Sequence, residues 1–313
     1  SSNYAGLFGY VLNGTLQNIR ITNANISAHF FVEIVQLNNY CAILAGYCSG
    51  TVIQNCYVSG NCMGGSYVGG LVGRSFNSQI NHCVSSVVIC CTGYSGGMIG
   101  SAYKSVIGDS YSNGIITGSA INGGFVGENR KSGINRCGSN VNINSEAFAG
   151  GFVACSIDSS YISDSYSTGI IKTNYDSPDP QYSINNNGGF VGQNTMNSVI
   201  ERCYSTNKVI LSTSICGGFV GKNNAHSTIR NCYNKADLFM ENSSGYAMIA
   251  TFCGYNSGEI CTSLNLGKLN FSNNTPVTNK GFVCTSFDSA SYNGNYFDIQ
   301  RSGQLEGIGA EGK

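Results

Sequence analysis

The chain has 313 residues, only 10% of them charged, and sixteen Lys and Arg balance sixteen Asp and Glu for zero net charge. That balance excludes the clustered basic surface that grips nucleic-acid phosphates and the polybasic run that seeks a membrane surface. No apolar stretch approaches the roughly 20 residues of a spanning helix, while 42% hydrophobic residues beside 42 Gly and three Pro read as globular and β-rich rather than disordered.

In chain order, residues 1–41 form a first coil, opening at "YAGLFGYV" and followed by an irregular excursion over 27–41. The absence of an initiator Met suggests a processed or excised segment. A repeat array occupies 42–284, and 285–313 is a terminal segment that closes it, giving one domain over 1–313. Each unit reads small, apolar, apolar, small, followed by an Ile and then, three residues further on, Cys or Ser. The units start at Gly6, Ala42, Gly70, Gly97, Gly124, Gly151, Gly189, Gly218, Ala247 and Gly281. The starts at Gly70, Gly97, Gly124 and Gly151 are evenly spaced, and the wider gaps read as loops inserted into a common unit. A constant period of this size marks a repeat architecture. The runs between Gly, Asn and Ser are too short for helices, and the unit is too short for a propeller blade.

The expected fold is therefore all-β: a parallel, right-handed β-helix or β-solenoid of about ten coils, with roughly 27 residues per coil and loop insertions. Three short strands and three corners are expected in each coil. At a rise of about 4.8 Å per coil the rod would be about 50 Å long. Stacked coils place like on like. Ile80, Ile107, Ile134, Ile162, Ile200 and Ile229 make one ladder, and Cys56, Cys83, Ser110, Cys137, Ser165, Cys203 and Cys232 make the next. A third runs Leu71, Met98, Phe125, Phe152, Phe190, Phe219, with Val72, Ile99, Val126, Val153, Val191 and Val220 beside it. Adjacent residues of a strand face opposite sides, so a bend that buries both rows is expected; without it one row would form an outer apolar stripe for association. The residue closing the motif is Gly in most units but Ala45, Ala154, Ala250 or Cys284 in others, so smallness rather than a left-handed backbone is required there.

The segments "AGLFG", "GGLVG" and "GGFVG" or "GGFVA", each followed by an Ile-x-x-Cys-like tail, resemble the GLUG repeat, named for its Gly-Leu-apolar-Gly core. The end, "NYFDIQRSGQLEGIG" at 295–309, is similar to the Tyr-Trp-Asp…Ser-Gly-Gln segment that closes such arrays, with Phe297 in place of Trp. GLUG repeats occur in bacterial surface and adhesin-like proteins and beside the catalytic domain of immunoglobulin A1 metallopeptidases. The resemblance implies a secreted or cell-surface location and no reaction. Fifteen cysteines and Asn-rich loops depart from a bacterial array and point to a eukaryotic microbe.

Fifteen cysteines cannot all pair within one chain. The exchange of Cys for Ser in the ladder reads as a small core residue, although Cys203 and Cys232 would sit one coil apart, within disulfide reach. The non-ladder residues Cys41, Cys48, Cys62, Cys90, Cys91, Cys216 and Cys253 are the better disulfide candidates. Scattered His and the lack of Cys-x-x-Cys leave no zinc site, and no cofactor is called for. Sequons stand at Asn13, Asn25, Asn242, Asn270 and Asn273, fewer than the composition yields by chance, so they permit glycosylation without arguing for it.

Paired carboxylates from nearby coils would signal glycoside chemistry. Asp109 and Asp164 are equivalent, but Asn55, His82, Arg136, Arg202 and Asn231 share their position, which marks a solvated corner rather than an active site. Tyr57, Tyr111, Tyr166, Tyr204 and Tyr233 follow the Cys/Ser ladder and alternation turns them outward, either as a row that grips a sugar or a neighbouring rod, or as a self-stacking ladder. The insertion at 173–187, with Tyr175, Pro178, Pro180 and Tyr182, is the other candidate contact. The reading is an extracellular structural solenoid that self-associates into a fibre or coat, because no cap is evident at either end. The alternative is an adhesin or stalk domain that binds carbohydrate or a partner protein, within a longer chain with flanking domains. Neither is an enzyme.

Overall fold

The computed structural model describes residues 4–28, 39–174, 185–211, 215–240, 248–271 and 278–310. They form a parallel β-solenoid. Each coil contributes one strand to each of four sheets, not three: in the third coil these are Tyr67–Gly69, Val72–Phe76, Gln79–Asn81 and Val84–Cys91. We name the sheets A to D in that order; they hold 10, 11, 10 and 14 strands. Sheet D has the most because its strand splits after the fifth coil, giving Tyr166–Thr168 and Ile170–Thr173 on either side of Gly169 (φ 121°). Three strands were expected, but the runs on either side of the Gly-Gly pair are separate strands. The backbone bends between them.

That bend explains the motif. In the register Val72↔Ile99↔Val126, both members of each apolar pair are buried: Leu71 with Val72, Met98 with Ile99, Phe125 with Val126. The first Gly of the pair makes the bend possible. A Cβ on Gly123 would lie 1.9 Å from the Val126 carbonyl oxygen, and one on Gly124 would lie 2.1 Å from the Gly151 oxygen of the next coil. The closing position behaves as expected. None of these residues has positive φ, and a Cβ on Gly73 would meet the Gly46 oxygen at 2.5 Å.

Two unit starts need correction. Phe8 and Val72 both pair with Ala45, so the second coil's motif begins at Ile43 rather than Ala42, and Gly46, not Ala45, closes it. Val220 pairs with Cys253, so the ninth begins at Thr251 rather than Ala247, and Gly254 closes it. In both cases a small-apolar-apolar-small string occurs beside the true unit, and backbone pairing decides between them.

The ladders fill the core. Ile53, Ile80, Ile107, Ile134, Ile162, Ile200, Ile229 and Ile260 are fully buried. Phe125, Phe152, Phe190 and Phe219 stack at 4.9–5.0 Å with 3° between ring planes, and the column continues through Phe252 to Phe282. The corners are polar and mostly satisfied, although the Ser227 hydroxyl is buried without a partner. At the entry to sheet C in the earlier coils, the Ser hydroxyl accepts from the backbone N–H one coil before: Thr51 to Ser78 at 3.1 Å, Ser78 to Ser105 at 3.3 Å, Ser105 to Ser132 at 3.0 Å. These bonds meet the requirement that buried backbone donors be paired.

The C-terminal end carries a cap, contrary to the sequence reading. Strands Ser291–Asn293 and Tyr296–Phe297 still belong to sheets C and D. Beyond them Asp298 N-caps a short helix, Ile299–Ser302, whose C-cap Gly303 takes φ 70°. Ile308–Ala310 then adds an eleventh strand to sheet B. Arg301 pins the helix, donating to the Leu266 oxygen and pairing with Asp237 at 3.2 Å. Phe297 turns under the last coil, where it occupies the space that Cβ atoms on Gly281 and Gly307 would need.

Candidate functional site

Where the chain turns from sheet C into sheet D, one residue per coil adopts the left-handed conformation: Asn18, Asn55, His82, Asp109, Arg136, Asp164, Arg202, Asn231 and Thr262, with φ between 46° and 58°. Asn and Asp accept this geometry readily, and its outward side chain tolerates the other residues. The column is a ladder of alternating charge. Arg136 makes a bidentate pair with Asp109 (2.7 and 2.7 Å) and Arg202 another with Asp164 (2.8 and 2.8 Å). Hydrogen bonds from Arg136 and Arg202 hold the Asp109 and Asp164 carboxyls below the usual carboxylate range. Arg136 lies between the two carboxylates, so they do not form a proton-sharing pair. Glu201 joins beside them, accepting from Tyr161 at 2.5 Å and Arg230 at 2.9 Å.

The tyrosines after the Cys/Ser ladder lie on the outer face of sheet D, in the register Tyr57, Val84, Tyr111, Gly138, Tyr166, Tyr204, Tyr233. The row is interrupted, and several of its ring faces are occupied, although Tyr111 and Tyr204 stay exposed. Arg20 covers Tyr57 at 4.2 Å, Tyr166 and Tyr204 stack at 5.2 Å and 8°, and the Tyr166 ring fills the space beside Gly138. Stacked rings present edges outward rather than the open faces a sugar ring would use. Tyr175, Pro178, Pro180 and Tyr182 lie outside the described residues, as do Asn242 and Asn273. Asn13 and Asn25 are exposed, whereas Asn270 is half-buried and donates to the Leu238 oxygen at 3.2 Å.

All fifteen cysteines are free thiols, so neither Cys203–Cys232 nor any of the non-ladder candidates is cross-linked in this structure. In the ladder, Cys and Ser exchange because both donate to the carbonyl two residues back: Cys83 to Asn81 at 3.2 Å, Ser110 to Gly108 at 2.7 Å. Burial pushes the thiols of Cys137 and Cys232 up to about 12. Of the other candidates, Cys48, Cys91, Cys216 and Cys253 are buried and Cys90 is exposed. Cys41 and Cys62 differ from these other candidates: their sulfurs are 3.1 Å apart, while in the ladder Cys56 and Cys83 also share a thiol hydrogen bond.

Sequence reasoning missed a second aromatic surface. Outward rings of sheet A stack along the axis: Tyr4 on Tyr40 at 5.4 Å, Tyr40 on Tyr67 at 5.3 Å, Tyr67 on Tyr94 at 5.1 Å. Outward rings of sheet B do the same, Tyr10 on Tyr47 at 5.1 Å. The two columns touch edge to face, Tyr4 with Tyr10 at 5.6 Å and Tyr40 with Tyr47 at 5.3 Å. Outward side chains diverge at a convex corner, so this contact shows that sheets A and B meet in a re-entrant crease. Arg74 follows Tyr47 in the sheet B column. It lies over Tyr67 at 5.3 Å and donates to the Tyr40 hydroxyl at 3.3 Å, while its Nε is buried without a hydrogen-bond partner. Burial, then the Glu128 carboxylate, pushes the Tyr94 hydroxyl up to about 12. Tyr67 and Tyr94 precede the motif at the same offset, a signal that could have revealed the column.

A solved structure named IgA1 Protease is similar over 59% of this chain and 16% of that chain, at 16% identity and a TM-score of 0.41. The chain thus spans less than a fifth of that protein's length. No protein-family model matches, and a search of curated proteins gives no match. Among the described residues no helix is long and apolar enough to cross a membrane.

Proposed function

We propose that the chain is a secreted or cell-surface scaffold of GLUG-repeat type, an adhesin or stalk domain that holds a partner protein in the crease between sheets A and B. One observation carries this reading: Tyr4, Tyr10, Tyr40, Tyr47, Tyr67 and Arg74 converge there, outside the core that the fold requires. Tyr and Arg are the residues that dominate protein–protein binding energy, because they combine contact area with directed polar tips. The half-buried Arg74 guanidinium, lying over Tyr67, adds a cation to the aromatic crease. The rings' faces are already stacked, so the crease suits an irregular protein surface better than a sugar ring. In this reading the chain is not an enzyme, and its carboxylates are held in ion pairs that stabilise the corner.

The test is a binding screen of the purified chain against immobilised extracellular-matrix proteins and a glycan array, run in parallel with Tyr47→Ala and Arg74→Ala. Protein binding weakened at least tenfold by either substitution supports the crease. Binding to glycans alone, or protein binding indifferent to both substitutions, sinks it.

Self-association into a fibre or coat is the second reading, and one observation favours it. The first coil lies at the edge of all four sheets and exposes Leu7 and Leu12, each at 59%. An apolar sheet edge is a template for a further coil, whether a second copy or an upstream segment of the same chain supplies it. The C-terminal cap weakens that reading at the other end. Light scattering under native conditions separates the two, since a scaffold of the first kind stays monomeric.

A further inference from the structure

Cys41 ends the short sheet A strand Tyr40–Cys41, and Cys62 lies in the sheet D strand Tyr57–Gly64 of the same coil. Between them the chain passes once around the solenoid, through the sheet B strand Ala45–Ser49 and the sheet C strand Val52–Gln54. Both side chains are buried and their sulfurs stand 3.1 Å apart. A disulfide bond is about 2.05 Å long, so a small side-chain rotation separates the pair from bonding distance. The surroundings favour this pairing. Gly64 leaves the space that Cys41 fills, since a Cβ there would meet the Cys41 Cβ at 2.9 Å. The nearby Cys91 thiol is turned to the Gly65 oxygen, at 3.2 Å.

We propose that Cys41 and Cys62 are a cross-linking site, joined as a disulfide that closes the second coil into a covalent ring. The oxidant is an external disulfide, either small-molecule or protein. The Cys41 thiolate attacks one sulfur of that disulfide and releases its partner as a thiolate. Cys62 then loses its proton and attacks the Cys41 sulfur of the mixed disulfide, releasing the second thiolate. Two protein thiols are oxidised, one external disulfide is reduced to two thiols, and the two protons end on the leaving groups. A buried pair reacts while the coil is open, so the bond forms during folding or when the N-terminal coils open. Its position matters because a solenoid is a one-dimensional stack, in which opening can begin at an end.

The proposal is independent of which partner the scaffold holds, and its test uses the full chain. The protein is equilibrated in a buffer of reduced and oxidised glutathione, quenched with acid, alkylated under denaturing, non-reducing conditions and mapped by peptide mass spectrometry. The expected result is a linked Cys41–Cys62 peptide pair, with the ladder cysteines alkylated. The melting temperature should fall on adding reductant, and that fall should vanish in Cys41→Ser and Cys62→Ser. Recovery of both residues as alkylated thiols overturns the proposal, and so does linkage of either to Cys91 or another cysteine. Mapping of the unsubstituted chain decides the matter even if a serine variant fails to fold.

Discussion

Phe190 gives the sharpest test of the ladder argument. Its side chain is fully buried, with Phe152 stacked on one face at 4.9 Å and Phe219 on the other at 5.0 Å, both at 3°. Truncation to Ala removes the ring's transfer free energy and leaves a cavity between two rigid coils, which costs about 3–5 kcal/mol. Loss of two ring contacts, each worth about 0.5–1.5 kcal/mol beyond area burial, places Phe190→Ala near the upper end of that range. Phe190→Leu should cost clearly less, about 1–2 kcal/mol, because Leu71 and Met98 occupy the same column in earlier coils without disturbing it. Guanidinium unfolding followed by circular dichroism measures both. A second signature is expected in the Ala variant. Coils contact chiefly their neighbours, so a central cavity should uncouple the two halves of the rod and lower the slope of the transition. Were Phe190→Ala to lie within about 1 kcal/mol of the parent, or to cost no more than Phe190→Leu, the column would not be the structural spine described above.

Three further predictions follow from the corners and the crease. Gly123→Ala places a Cβ 1.9 Å from the Val126 oxygen and should cost about 2–3 kcal/mol or more by chemical denaturation, whereas Gly133→Ala meets nothing within 4 Å and should be neutral or stabilising by up to about 0.5 kcal/mol. The Asp109 and Asp164 carboxyls are depressed in the folded state, so their contribution is present at neutral pH and lost as pH falls through the folded values. The melting temperature should therefore drop below about pH 4, and Arg136→Gln should flatten that acid limb while altering the neutral value little. Replacing Tyr111 or Tyr204 by Ala should leave partner binding unchanged under the conditions in which Arg74→Ala abolishes it, because the crease and the sheet D row lie on different faces.

The core was legible in the sequence because stacking writes each inward position repeatedly. Ile80, Ile107 and Ile134 are the same structural site, and three copies distinguish a rule from chance. The bend that buries Phe and Val together was expected from strand alternation, but not that it divides the run into two strands, so a coil was given three strands instead of four. The starts at Ala42 and Ala247 failed for a related reason: Ala-Ile-Leu-Ala spells the motif, but hydrogen bonding places Gly46 over Gly73. The charged corner looked like arbitrary variety because the fold fixes only its left-handed backbone. What the side chains then do, Asp109 to Arg136 and Asp164 to Arg202, depends on which coil lies next, and a single unit cannot show that.

The same geometry indicates where specificity can reside. An inward position must match its neighbours above and below, so substitution there is constrained by packing. An outward position on the crease need only share the backbone, and its chemistry changes along the rod. Tyr4, Tyr40, Tyr67 and Tyr94 give way to Ile121 and Phe148 on sheet A, while Tyr10, Tyr47 and Arg74 give way to Ser101, Glu128 and Cys155 on sheet B. One continuous groove is thus aromatic and basic over its first coils and acidic at Glu128. A partner that used only the repeated backbone would bind at every coil with no preferred register. The change from Arg74 to Glu128 breaks that symmetry and would seat the partner at one end, with its acidic groups toward Arg74.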